Sequence, residues 1–175
     1  MKKIFDRRLV SFAKLTLVPK SFDIIPDPEF KPQMKYVCIS PMIPQQPFLT
    51  DETGTLPEPL DPRSHEFSDL FYDAVLDRME KAGFTEEQIS SFAEFEIVPD
   101  PGYIQKISET HKKFARIYKN NNNQTMYGYL LPFTLHAHPQ VQKFIWECGI
   151  GNFTTQGYGM VDVVGGMSAE VLPEE

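Results

Sequence analysis

Apolar residues recur every second position in some stretches of the chain and every third or fourth in others, and these two periods predict its strands and helices. The first alternation, Phe12 to Ile25, is broken at Pro19 and predicts a hairpin. Pro26, Pro28 and Pro32 then restrict the backbone and predict a connector. Lys35 to Ser40 is a short β-type run stopped by Pro41, after which Pro44, Pro47, Pro57, Pro59 and Pro62 mark a long loop. From Phe67 the period turns helical: Phe67, Leu70, Phe71, Ala74, Val75 and Met79 share a face, Ser64 suits the N-cap and Gly83 the stop. Thr85 and Gln88 have the spacing of a second, short capping box. Phe95 and Ile97 alternate with Glu94 and Glu96 in a half-buried strand that closes at Pro99 to Gly102. Lys112 to Lys119 alternates again, Asn120 to Asn123 supplies turn residues and Tyr127 to Leu135 reads as one long strand, predicting a hairpin with a basic arm. Pro139 opens a helix carrying Val141, Phe144, Ile145 and Cys148, Gly149 ends it, and Tyr158 to Val164 predicts a last strand.

Residues 35–164 therefore run strand, helix, strand, strand, strand, helix, strand, one strand more than a ferredoxin-like βαββαβ unit. The expected fold is α+β, an antiparallel sheet with two helices packed on one face. We divide the chain into an N-terminal segment, residues 1–33, read as a remnant or the last strands of a preceding domain; a ferredoxin-like domain, residues 34–165; and a tail, residues 166–175, too poor in apolar residues to hold itself. The composition, 41% apolar and 23% charged, is that of a globular protein. No run approaches the roughly 20 apolar residues of a membrane span, and no signal-peptide core follows the basic N-terminus, so a cytoplasmic location is expected. Cys38 and Cys148 belong to no ligand spacing, and neither a metal nor another cofactor is expected.

The net charge of −7 conceals a strong unevenness. Residues 51–100 carry three bases against fourteen acids, and residues 144–175 carry five acids and no base. Between these blocks Lys106, Lys112, Lys113, Arg116, Lys119 and Lys143 face only Glu109, and residues 1–35 are also basic. A basic band between acidic blocks fits an anionic ligand held locally, although ordinary surface heterogeneity produces the same pattern. Within the band, alternation places Lys112, Phe114, Arg116 and Tyr118 on one face and Lys113, Ala115, Ile117 and Lys119 on the other. Arg116 with Tyr118 or Tyr127 would pair phosphate contact with base stacking; the alternative is an edge strand guarded by charge.

The densest motif is Gly149, Gly151, Gly157 and Gly159 within eleven residues, enclosing Thr154 and Thr155 between a helix end and a strand start. It is not a dinucleotide fingerprint, because the element order is reversed and Thr154 stands where the third glycine belongs. Such a segment lets backbone approach closely and can turn successive N–H groups towards a phosphate. A helix cap followed by a turn needed only for packing accounts for it equally well.

Four features occur together in a fixed order: a strand ending in Ser40-Pro41, the helix from Phe67 to Ala82, the run Gly128-Tyr-Leu-Leu-Pro132-Phe133-Thr-Leu135, and the loop Gly149 to Gly159. In this the chain resembles, over residues 12–164, the CRISPR-associated endoribonucleases of the RAMP superfamily that process repeat RNA, and within them the C-terminal of two ferredoxin-like domains. Where the family usually has a lysine after the second glycine this sequence has Asn152 and Phe153. The resemblance implies a role in CRISPR RNA maturation, with repeat RNA as partner and the RNA held by Lys112, Lys113, Arg116 and Lys119 and by Gly149, Gly151, Thr154, Thr155, Gly157 and Gly159. The family's catalytic histidine usually lies in an N-terminal domain with no counterpart here, so the expected chain binds RNA without cutting it. Other CRISPR-associated proteins, a separate N-terminal half or a second copy of the chain are the further partners considered.

Two alternatives stand beside this reading. One is a complete metal-independent endoribonuclease, in which a 2′-hydroxyl attacks the adjacent phosphate and histidine moves the protons. His136 and His138 are its candidates, although a histidine just before Pro139 more often caps a helix or lies at the surface; His111 and His65 have less to support them. The other is a structural module that pairs with a separate N-terminal half. Asp69, Asp73, Asp77 and Glu80 read as a solvated helix face, since carboxylates one turn apart make a poor cation cage.

Overall fold

The computed structural model of the protein describes residues 9–12, 14–18, 26–44, 57–120, 122 and 124–165. A small hairpin pairs β1 (Val10–Phe12) with β2 (Leu15–Leu17). The main unit then runs β3 (Gln33–Cys38), α1 (His65–Lys81), α2 (Glu86–Ser90), β4 (Phe95–Pro99), α3 (Pro101–Glu109), β5 (Ala115–Lys119), β6 (Thr125–Tyr129), β7 (Phe133–Ala137), α4 (Pro139–Cys148) and β8 (Val161–Val163). Residues 1–8, 19–25, 45–56 and 166–175 lie outside the described residues, and with them the break at Pro19, much of the proline-rich loop and the expected tail.

Four strands form one antiparallel sheet in the order β4-β7-β3-β8. The crossovers β3-α1-β4 and β7-α4-β8 each pass over one intervening strand, which is the ferredoxin-like arrangement. On the helix side the sheet presents Met34, Tyr36, Ile97, Phe133, Leu135, Ala137 and Val161, all buried, against Phe67, Phe71, Val75 and Met79 of α1 and Val141, Phe144 and Ile145 of α4. The opposite face alternates to Lys35, Val37, Glu96, Thr134 and His136, which are exposed or half-buried.

The helices start and stop where local chemistry directs. The Ser64 side chain accepts from Phe67 N at the head of α1. At its tail Gly83 adopts a left-handed φ of 97° while Phe84 N donates to Met79 O. This is the Schellman arrangement, in which the left-handed residue releases the chain and the next amide satisfies an orphan carbonyl. Both bonds of the Thr85–Gln88 capping box form in α2. Ser68 has a second use for α1: its Oγ accepts from Ile97 N at 3.0 Å, on the outer edge of the sheet.

Two expectations are corrected. Tyr127 to Leu135 is not one strand, because it divides at Leu130–Pro132 into β6, which forms a two-stranded sheet with β5, and β7, which belongs to the main sheet. Pro132 has no N–H to give a ladder, and its carbonyl instead accepts from Asp100 N at 2.8 Å. Second, the segment after Pro99 continues into α3, which the alternation did not announce; Asp100 caps it through Tyr103 N and Pro101 fills its first position. The insertion α3-β5-β6 accounts for the additional strand. The connector is fastened to α4 and the end of β7 by the Lys143–Asp27 ion pair, an edge contact between Phe30 and Trp146, and Pro32 O, which accepts from Ala137 N of β7 and Gln142 Nε2 of α4.

The two cysteines differ sharply. Cys38 donates its thiol to Leu131 O, and burial pushes its pKa up to about 11, whereas Cys148 is exposed. We expect a thiol reagent at pH 8 to modify one cysteine per chain quickly and the second only on unfolding, with peptide mapping placing the fast site at Cys148. Equal labelling rates would contradict the packing of β3 on Leu131.

Candidate nucleic-acid interface

The basic hairpin and the glycine-rich loop, 20 or more residues apart in the chain, are joined through the short segment Pro41–Pro44. Met42 pairs with Tyr129 on β6 and Ile43 forms a parallel bridge with Gly151. Both side chains are completely buried, so this part of the expected loop belongs to the core. Tyr158 closes the contact from the other side, its hydroxyl donating to Lys119 O and its ring meeting Tyr118 edge-on.

The candidate cations divide by their surroundings. Lys143 is neutralised by Asp27 and Glu147, and these neighbours hold its pKa up. Lys112, Lys113, Arg116 and Lys119 are all exposed, and among the described residues none of them forms an ion pair. Of the aromatic partners expected for Arg116, Tyr118 lies over Gly128, where an added Cβ would come within 2.7 Å of its ring. The Tyr127 hydroxyl donates to Pro57 O.

Helix α3 supplies the aromatic company instead. It ends with His111 in a left-handed conformation, φ 50°, so that His111 N reaches Ser108 O and Lys112 N reaches Ile107 O. That is a second Schellman turn, with histidine where glycine or asparagine is usual. The chain thereby doubles back, and Lys112, Lys113, Phe114, Ala115 and Arg116 line a cleft of about 280 Å³ whose other wall is Tyr103, Ile107 and Leu130. Tyr103 donates to Leu130 O at 2.9 Å; burial raises its pKa, and the nearby Arg116 charge opposes that rise. Sequence reading missed Tyr103 and Ile107 as site residues. Their signal was Asp100-Pro101 as a helix start followed by apolar residues at three- and four-residue spacing.

In the glycine-rich loop the carbonyls and amides turn largely inward. Amides of Ile150, Asn152 and Gly159 donate to Gly159 O, Ile43 O and Pro41 O, and Met160 N donates to Ser40 Oγ. The Ser40-Pro41 pair thus holds the end of the loop. Arg78 of α1 collects three carbonyls, those of Cys148, Gly149 and Gly151, with its guanidinium over the Phe144 ring. Gly149, Gly151 and Gly159 are buried at φ of 81°, 78° and 71°, and an added Cβ would lie within 3.0 Å of Gly159 O, 2.6 Å of Ile43 O and 2.0 Å of Ile150 O respectively. Gly157 meets nothing within 4 Å, and with Thr154 and Thr155 it forms the part of the loop that reaches the surface. Packing therefore explains three of the four glycines. Replacing Arg78 by alanine leaves three carbonyls without their charged donor, and we expect a loss of about 2–4 kcal/mol, with about half of it recovered by lysine. Thermal melts of the two variants check this.

The histidines do not converge. His138 caps α4, its Nδ1 accepting from Gln140 N, and its ring stacks on Phe92. His136 lies on the open face of the sheet, level with Glu96 and Gln33. His111 closes α3, and His65 begins α1. Among the described residues no group of three or more His, Cys, Asp or Glu could hold a metal, and no helix is long and apolar enough to cross a membrane.

Solved structures share this architecture. A Cas6-related protein from Pyrococcus furiosus superposes with a TM-score of 0.65 at 17% identity, over 93% of this chain and 60% of its own. A structure described as a RAMP protein binding different RNA substrates gives 0.63 at 16% identity, over 93% and 61%. A Cas6b crystal structure gives 0.58 at 15% identity, over 93% and 65%. The chain thus spans about 60% of the length of the first two. No curated protein sequence matches it significantly. The family described as CRISPR associated protein Cas6, C-terminal, matches residues 25–163, from the connector through β8, and the chain belongs to that family.

Proposed function

We propose that this chain is the RNA-holding C-terminal part of a CRISPR repeat-RNA processing endoribonuclease and that by itself it binds repeat RNA without cutting it. The observation that carries the reading is the set of four exposed cations that have no acidic partner among the described residues, Lys112 and Lys113 just before β5 and Arg116 and Lys119 on it, in a hairpin fixed against the glycine-rich loop. Thr154, Thr155 and Gly157 are the loop residues placed to reach the same ligand, while Gly149, Gly151 and Gly159 shape the loop from within. The reading includes a protein partner, since the related structures are longer than this chain and the catalytic histidine would come from their remaining part.

The test is incubation of the purified chain with labelled repeat RNA in EDTA at two salt concentrations, scoring retardation and products in the same samples. Salt-sensitive retardation of intact RNA is the expected result. Site-specific cuts abolished in a His136→Ala, His138→Ala double variant would replace the binding reading with that of a nuclease. Neither a shift nor a cut would overturn both.

A further inference from the structure

We propose that the cleft between α3 and the start of β5 receives one unstacked RNA base, with the adjoining phosphate held by Lys112, Lys113 and Arg116; this rests on the RNA-binding reading above. A surface that holds only phosphates needs charge and no concavity. Here three cations surround a hollow whose walls are the apolar and aromatic groups of Tyr103, Ile107, Phe114 and Leu130. Aromatic faces beside arginine and lysine are the chemistry by which proteins take up single-stranded bases, because every base offers a π-face and every nucleotide a charge. At about 280 Å³ the cleft lies just below the roughly 300–1,000 Å³ of sites for drug-sized ligands, which suits one nucleotide. Tyr103 is fixed by its hydrogen bond to Leu130 O, so its ring is positioned in advance.

The opposite side of Phe114 gives the strand its direction. It borders a second hollow lined by Glu58, Leu60, Asp61 and Lys113, and there Arg63, whose guanidinium lies over the Phe114 ring, is ion-paired to Asp61, whose carboxyl it holds below the usual range. On that side acids and cations balance, whereas the lining of the α3 cleft holds Lys112, Lys113 and Arg116 and no acid, so the backbone passes over Lys112 and Arg116. A base inside a duplex has both faces stacked and cannot enter, and binding therefore favours single-stranded RNA.

The experiment is fluorescence anisotropy with a single strand of about 12 nucleotides drawn from repeat RNA, in which one abasic residue is moved along the strand. In the native chain one position should lose about tenfold in affinity when its base is removed. In Phe114→Leu, which keeps an apolar side chain of similar volume, the intact strand should already bind about tenfold more weakly, the abasic position should cost nothing further, and the salt slope should be unchanged. Lys113→Ala should instead lower that slope by about 0.7 while retaining the abasic effect. Thermal melts of both variants establish that they fold. RNA binding that is indifferent to every abasic position, or an abasic effect undiminished in Phe114→Leu, overturns the base pocket while leaving RNA binding itself intact. Absence of any RNA binding overturns both.

Discussion

The simultaneous replacement of Lys112, Lys113, Arg116 and Lys119 by alanine is expected to weaken RNA binding by roughly 10²–10³-fold near 0.1 M salt. Each cation that neutralises a phosphate releases condensed counterions, and on single strands this contributes about 0.7 to the slope of log affinity against log salt. Four such contacts flatten the slope by about three, which is the more diagnostic readout, since a loss through misfolding would not change it in that way. All four side chains are exposed and have no acidic partner among the described residues, so stability should change by less than about 0.5 kcal/mol per site. Lys143→Ala is the matched control. Its charge is already answered by Asp27 and Glu147, and its removal should leave the slope almost unchanged. A quadruple variant with native affinity would refute the assignment of the hairpin to RNA.

The largest effect on the fold is expected from Gly159→Ala. The new methyl would stand 2.0 Å from Ile150 O, a backbone atom that cannot rotate away, and φ is +71°. The Gly159 carbonyl accepts from Ile150 N and its amide donates to Pro41 O, so any shift that relieves the clash breaks the link between loop and core. We expect a loss of at least about 4 kcal/mol, which at this chain length lowers the melting temperature by roughly 8–16 °C or prevents folding. Gly157→Ala is the contrast, with a left-handed φ of +88° and open space around it. It should cost only the roughly 1–2 kcal/mol of an L-residue in that conformation. If RNA affinity falls with Gly157→Ala while the fold survives, the exposed turn of the loop contributes to the ligand site. Equal melting temperatures for the two variants would contradict the path of the loop.

Most elements were legible in the sequence because their signals are local. Ser64 before an apolar period, the Thr85–Gln88 box, and Pro139 with Gly149 bracketing α4 each act within four or five residues, and all of them operate in the structure. The basic arm was legible as charge, and His138 as the helix cap that its position before Pro139 favoured. Helix α3 is not apparent in the sequence because Pro99 to Gly102 reads as the close of the preceding strand, although Asp100-Pro101-Gly102 begins a helix once Asp100 accepts from Tyr103 N. With α3 unseen, the cleft and its Tyr103 wall were unseen as well.

By itself the sequence determined the order of the four strands and two long helices of the main unit, the ferredoxin-like class and the family resemblance, since periodicity, caps and motif order are properties of neighbouring residues. Only the tertiary structure decided that Tyr127 to Leu135 divides between two sheets, that Met42 and Ile43 join the hairpin to the loop, and that three glycines of the motif serve packing rather than an open cradle. Each of these depends on atoms far apart in the chain coming within a few ångströms: Tyr118 over Gly128, Ile43 against Gly151, and Arg78 beneath the carbonyls of Cys148, Gly149 and Gly151. Contacts of that kind are set by how the elements pack, and no period along a single strand or helix records them.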